Sequence, residues 1–143
     1  MRTFLALLVL GSIVLMTGCK RDAVPTELST VCSPANEKKY ISARGFLDDK
    51  GGVFCSNTGG RMDCGFAVSA AAGGDRVFSA DIEQGGRAGQ VEKLPSGYKK
   101  EDIKIRDNGG NIIRLSEKVN LTGEMSIAPD GSVCFMKVDK IER

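Results

Sequence analysis

From residue 40 onward, apolar side chains recur at every second position in short runs, and turn-forming residues end each run. Cys64, Phe66 and Val68 alternate in this way, as do Val119, Leu121, Gly123, Met125 and Ile127. A period of two places one set of side chains on one face of a β-strand, whereas a helix requires 3.6. The same reading gives strands over residues 40–47, 53–55, 62–70, 76–82, 119–127 and 133–141. Asp48 to Gly52, Gly73 to Asp75 and Ala128 to Gly131 separate them with turn chemistry. Ile103 and Ile105 face Ile112, Ile113 and Leu115 across Asp107-Asn108-Gly109-Gly110-Asn111, which predicts a hairpin. About seven short strands at this spacing predict an all-β fold, a small antiparallel barrel or sandwich over residues 40–143. With six Phe, two Tyr and no Trp, the core must be built from Val, Ile, Leu and Phe. Residues 84–100 carry no clear period; Gly85, Gly86 and Gly89 read as loop, and a single helical turn is the most that fits near Tyr98.

The N-terminus is of another kind. Arg2 precedes an apolar stretch over residues 4–16, followed by Thr17, Gly18 and Cys19. A positive start, a short apolar core and small residues at a cut site form the pattern of a secretory signal peptide. The core is too short for a bilayer, which needs about 20 apolar residues. Leu15-Met16-Thr17-Gly18-Cys19 resembles the lipobox of bacterial lipoproteins, with Met16 where that family usually has Leu. The resemblance implies a signal peptide over residues 1–18, cut before Cys19. Lipid would be attached at Cys19, a diacylglycerol on its sulfur and an acyl chain such as palmitate on the new N-terminus. The partner it implies is the membrane itself, reached through the lipid. Lys20 stands where an Asp would signal retention in the inner membrane in the enterobacterial scheme. The implied place is therefore the cell envelope, on the outer membrane facing the periplasm.

Once Cys19 is assigned to the anchor, Cys32, Cys55, Cys64 and Cys134 remain. An even number in an exported chain of this size reads as two disulfides, with three possible pairings. Cys55 with Cys64 is favoured, because Asn57-Thr58-Gly59-Gly60 between them makes a plausible turn. Cys32 with Cys134 would then staple the start of the domain to its last strand. A four-thiolate zinc site is the rival, but no pair has the C-x2-C spacing and the chain holds no histidine. Residues 19–39, with Pro25 and Pro34 and no sustained apolar period, read as a lipidated flexible tether. The alternative for that stretch is a short N-terminal helix or arm packed on the domain through Val31 and Cys32.

Ile105-x-Asp107-x-Gly109, then Lys118-Val119-x-Leu121-x-Gly123, a turn and Val138-x-x-Ile141 resemble the C-terminal half of OB-fold domains. The likeness is to small exported bacterial OB-fold proteins in particular, and it covers about forty residues. It implies an OB-like barrel with Gly123 relieving crowding at a mid-strand bend. The helix that this family carries between its third and fourth strands has no counterpart in the pattern, which leaves another small barrel open.

Function is read mostly by exclusion. Without histidine, neither a Ser-His-Asp nor a Cys-His arrangement can be assembled. Asp48 with Asp49, and Asp81 with Glu83, read as polar turn and strand residues rather than acid–base pairs. Asp107-x-Gly109-x-Asn111 starts like a calcium loop but has Ile112 where the sixth-position glycine belongs and Lys118 at the acidic twelfth. No catalytic residue, metal or cofactor is therefore expected. Past the leader the side chains hold 19 basic and 18 acidic groups, too balanced to select nucleic acid. Phe66 and Phe78 fall on the strands that OB barrels use for stacking, yet their alternation assigns them to the core. The expected function is a non-enzymatic binding or assembly module for a protein or other envelope component. The alternative is a small-ligand or oligosaccharide binder that uses the barrel mouth or residues 84–97.

Overall fold

The computed structural model describes residues 21–143. The expected signal peptide and the lipid attachment at Cys19 lie outside the described residues. Among the described residues nine strands follow one another: β1 (Val24–Pro25), β2 (Tyr40–Asp48), β3 (Phe54–Thr58), β4 (Arg61–Ser69), β5 (Arg76–Glu83), β6 (Ile105–Arg106), β7 (Ile112–Ile113), β8 (Lys118–Ile127) and β9 (Cys134–Glu142). Their alternation is the one the sequence carries: Cys64, Phe66 and Val68 point inward from β4, and Val119, Leu121, Met125 and Ile127 from β8.

Five strands close on themselves. β2 pairs antiparallel with β8 from Tyr40 to Phe46 and with β4 over Phe46–Asp48. β4 pairs antiparallel with β5, β5 parallel with β9, and β9 antiparallel with β8. This is an OB-like small barrel, as expected. Its interior is filled by Phe66, Phe78, Leu47, Ile82, Leu121 and Met136. At Thr122 and Gly123 the β8–β9 register shifts, and a Cβ on Gly123 would lie 2.0 Å from the Lys137 carbonyl oxygen. Glycine is the residue that admits that approach.

Where OB domains carry a helix, this chain has a 3-10 turn at Lys100–Asp102 and the β6–β7 hairpin. Val91, Ile103, Ile105 and Ile113 are buried there and join the barrel core. Within residues 84–97, the alternative ligand segment, Gln90 and Val91 are buried and the rest is exposed or half-buried. Glu92 N–H donates to Lys104 O at 2.8 Å and Arg106 N–H to Gln90 O at 2.9 Å.

The stretch before Tyr40 departs from the tether expected of it. From Val24 on it packs as an arm, the other of the two readings. β1 runs parallel to β2, and Thr26 N–H donates to Ser42 O at 2.8 Å. Val31 is fully buried, and Ile127 N–H donates to the Glu37 carboxylate. Lys38 and Lys39 exchange backbone hydrogen bonds with Met125. The arm has no apolar period because one buried side chain and one disulfide fasten it, which leaves no repeat to read.

Both disulfides pair as expected. Cys32 joins Cys134 with a Cα–Cα distance of 5.7 Å, and Cys55 joins Cys64 at 4.0 Å. Their separations of 102 and 9 residues differ greatly, and loop-closure entropy grows with separation. Replacing Cys32 and Cys134 together by Ser is expected to lower unfolding stability by about 4.7 kcal/mol, against about 2.6 for Cys55 and Cys64. Urea midpoints of the two double variants check the order, and equal losses would contradict it. Gly123→Ala is expected to destabilise by about 3 kcal/mol, since the obstacle is backbone; an unchanged midpoint would contradict the close approach.

Candidate binding face

The barrel interior is packed, so any ligand must meet its outside. Alternation fixes what the outside shows. Cys55 faces inward to reach Cys64, and so Phe54 and Ser56 on β3 face outward. Across the sheet Phe54 lies beside Gly65 of β4, and Gly65 beside Asp81 of β5. Asp63 and Ser79 flank that row on the same face. Gly65 contributes no side chain, which leaves a floor between the Phe54 backbone and the Asp81 carboxylate. The result is a depression of about 420 Å³, within the range of small-ligand sites. Phe54 stands beside it with 78% of its surface exposed.

Charge on this face is mixed. Arg61 is ion-paired with Asp63, lies 4.0 Å from Glu83 and donates to Val138 O at 3.3 Å. Lys50 reaches from the β2–β3 loop to Gly74 O at 3.2 Å and Asp75 at 3.3 Å, closing one end of the depression. Arg76 completes its cationic side. Burial holds the Asp81 carboxyl above the ordinary carboxylate value; neighbouring Asp63 pushes the same way and Arg61 opposes both. Among the described residues, no donor hydrogen-bonds that carboxylate. An aromatic ring, hydroxyls and a poorly solvated carboxylate suit an uncharged or cationic polar group, while the carboxylates repel a polyanion.

The residues singled out from sequence are placed as follows. Phe66 and Phe78 are 1% and 2% exposed and belong to the core. Asp48 accepts from Asp49 N–H at 2.8 Å and from Lys100, which also lies 3.6 Å from Asp49. Burial would raise Asp48, but hydrogen bonds from Asp49 and Lys100 hold it below the usual range. The pair therefore anchors the 3-10 turn. Asp107 accepts from the backbone of Asn111 and Gly109 and from the Asn111 amide. Those bonds depress its pKa, the Asn111 backbone foremost, and commit its carboxylate to the hairpin. All four cysteines beyond Cys19 are in disulfides. No group of three or more possible metal ligands occurs among the described residues. Nor is any helix among them long and apolar enough to cross a membrane.

Phe54 was missed from sequence. The favoured Cys55–Cys64 pairing contains the signal, because an inward Cys55 sends its neighbour outward. A second concavity, of about 440 Å³, lies between the 3-10 turn and β7. Its apolar walls of Ile103, Ile112, Ile113 and Leu115 are bordered by charged side chains, Lys100, Lys104 and Arg114 among them.

Neither a protein-family model nor a curated protein matches the chain. A solved structure that it resembles is that of a protein assigned as an aspartyl-tRNA synthetase from Leishmania major Friedlin. The identity is 12% and the TM-score 0.41, with 90% of this chain aligned to 22% of that one. So distant a likeness speaks for neither fold nor function.

Because the folded chain holds the Asp81 proton more tightly than the unfolded chain, ionised Asp81 costs stability at neutral pH. The cost disappears as pH falls through its raised pKa. Asp81→Asn is therefore expected to raise the melting temperature at pH 7, with the gain shrinking toward pH 3. A gain equal at both pH values, or a loss at pH 7, would contradict the desolvated carboxylate.

Proposed function

We propose that the chain is a bacterial lipoprotein, held by lipid on Cys19 at the outer membrane and facing the periplasm. Its barrel is a non-enzymatic binding or assembly module for an envelope protein, and it binds through the outer face of β3, β4 and β5. The observation that carries the reading is Phe54, an exposed aromatic ring beside the open Gly65 floor. A large apolar side chain placed outward next to polar groups marks an interaction surface. Two disulfides in so small a domain suit an oxidising compartment such as the periplasm.

Anchoring has a geometric consequence. Arg21 is ion-paired with Glu124 at 2.9 Å and lies over the Tyr40 ring at 5.7 Å. A lipid on Cys19 would then be separated from the barrel by Lys20 alone, so the barrel rides close to the bilayer. The depression beside Phe54 also favours a second reading, an oligosaccharide seated on the same face with its sugar rings against Phe54.

A photo-crosslinking residue at position 54 of the full chain, expressed in a diderm bacterium, tests the reading. The expected result is a discrete covalent adduct to an envelope protein, absent when the crosslinker replaces exposed Val24 on the arm. A glycan adduct in its place would establish the second reading. No adduct at position 54, or the same adducts at both positions, would overturn the face assignment.

A further inference from the structure

We infer that β3 is a dimerisation edge, pairing antiparallel with β3 of a second copy of this chain. The barrel leaves this strand with a partner on one side only. β4 shares its near edge between β2, over Ala67 to Ser69, and β3, over Arg61 to Gly65. The far edge of β3 has no strand beside it among the described residues.

The direction of its backbone groups can be worked out. The hairpin closes through Gly59 and Gly60, both at positive φ, with Thr58 opposite Arg61. In a two-residue hairpin that closing pair is hydrogen-bonded. Thr58, Ser56 and Phe54 therefore bond to β4, and Asn57, Cys55 and Val53 turn their N–H and C=O outward. Tyr98 confirms the parity: its hydroxyl accepts from Val53 N–H at 2.7 Å and donates to Val53 O at 3.3 Å. That side chain satisfies the outward groups of Val53 and leaves those of Cys55 and Asn57 open.

The open groups lie symmetrically about Ser56. An antiparallel copy with Ser56 opposite Ser56 places Cys55 against Asn57 and Asn57 against Cys55. Both become hydrogen-bonded pairs, which makes four backbone bonds with no outward group of either residue left over. The same register sets Phe54, the most exposed large apolar side chain among the described residues, beside Thr58 of the copy, with the outward face of its ring still open. Exposed edges are ordinarily guarded by lysine, proline or a covering segment. The chain does this at β2, where β1 lies along the open part of the strand. Residues 53–58 contain neither a charge nor a proline, so a copy meets no like charge. The pairing is isologous and therefore closes at two.

The test uses the full chain extracted in mild detergent, with its mass measured by light scattering over a hundredfold dilution. The expected result is twice the chain mass at high concentration. Ser56→Lys sets like charges directly opposite one another, and is expected to raise the dissociation constant about fivefold or more. Ser56→Glu does the same. Mixing the two, each with its own tag, is expected to restore co-purification. Ser56 is exposed, and intact disulfides in each variant establish that it has folded. A wild-type chain monomeric throughout, a Ser56→Lys dimer as tight as wild type, or no recovery on mixing would overturn the assignment. A position-54 adduct to a second copy of this chain reports the dimer, and an adduct to any other envelope component reports the ligand face, so the two readings fail separately.

Discussion

The architecture depends on the way β2 divides itself between two neighbours. It pairs with β8 along most of its length and reaches β4 only over Phe46–Asp48. That short seam closes the barrel. It also leaves two stretches of edge without a barrel partner, the early part of β2 and the early part of β4. Unpaired backbone at a sheet edge invites association, and the chain answers differently at the two places. It lays β1 along β2, and along β4 it folds back β3, which carries the open edge one strand outward.

The disulfides reinforce those two answers. Cys32–Cys134 fastens the arm that carries β1 to the last strand, and Cys55–Cys64 fastens β3 to β4. Neither added piece has much apolar area of its own. Val31 is the arm's fully buried side chain, and β3 is largely exposed. Covalent closure supplies what burial does not. The Cys55–Cys64 bond also sets the outward direction of Phe54, and through it the character of the proposed binding face.

Much of this was legible in the sequence, because the barrel strands bury one side and alternation records it. Cys64, Phe66 and Val68, and the run from Val119 to Ile127, announce both strand and face. Gly123 could be read as a crowded position, and the Lys137 carbonyl is what crowds it. The segment from Gln84 to Lys100 was not legible. It contributes single buried residues, such as Val91, held by isolated backbone bonds, and these have no period. The arm failed for the same reason: one valine and one cysteine do not make a pattern. Phe54 was overlooked because β3 buries almost nothing, so hydropathy does not mark it, and only the direction of its neighbour's disulfide does.

The claim beneath the proposed function is that this barrel is exported, lipid-anchored and oxidised. Intact mass of the protein extracted from membranes, before and after reduction and thiol alkylation, tests it most directly. The expected mass is that of residues 19–143 with two disulfides plus acyl chains, with no alkylation before reduction and four alkylated cysteines after. A chain that retains residues 1–18 or lacks lipid would contradict the anchor. Thiols that react before reduction would contradict the staples that hold the arm and β3 in place.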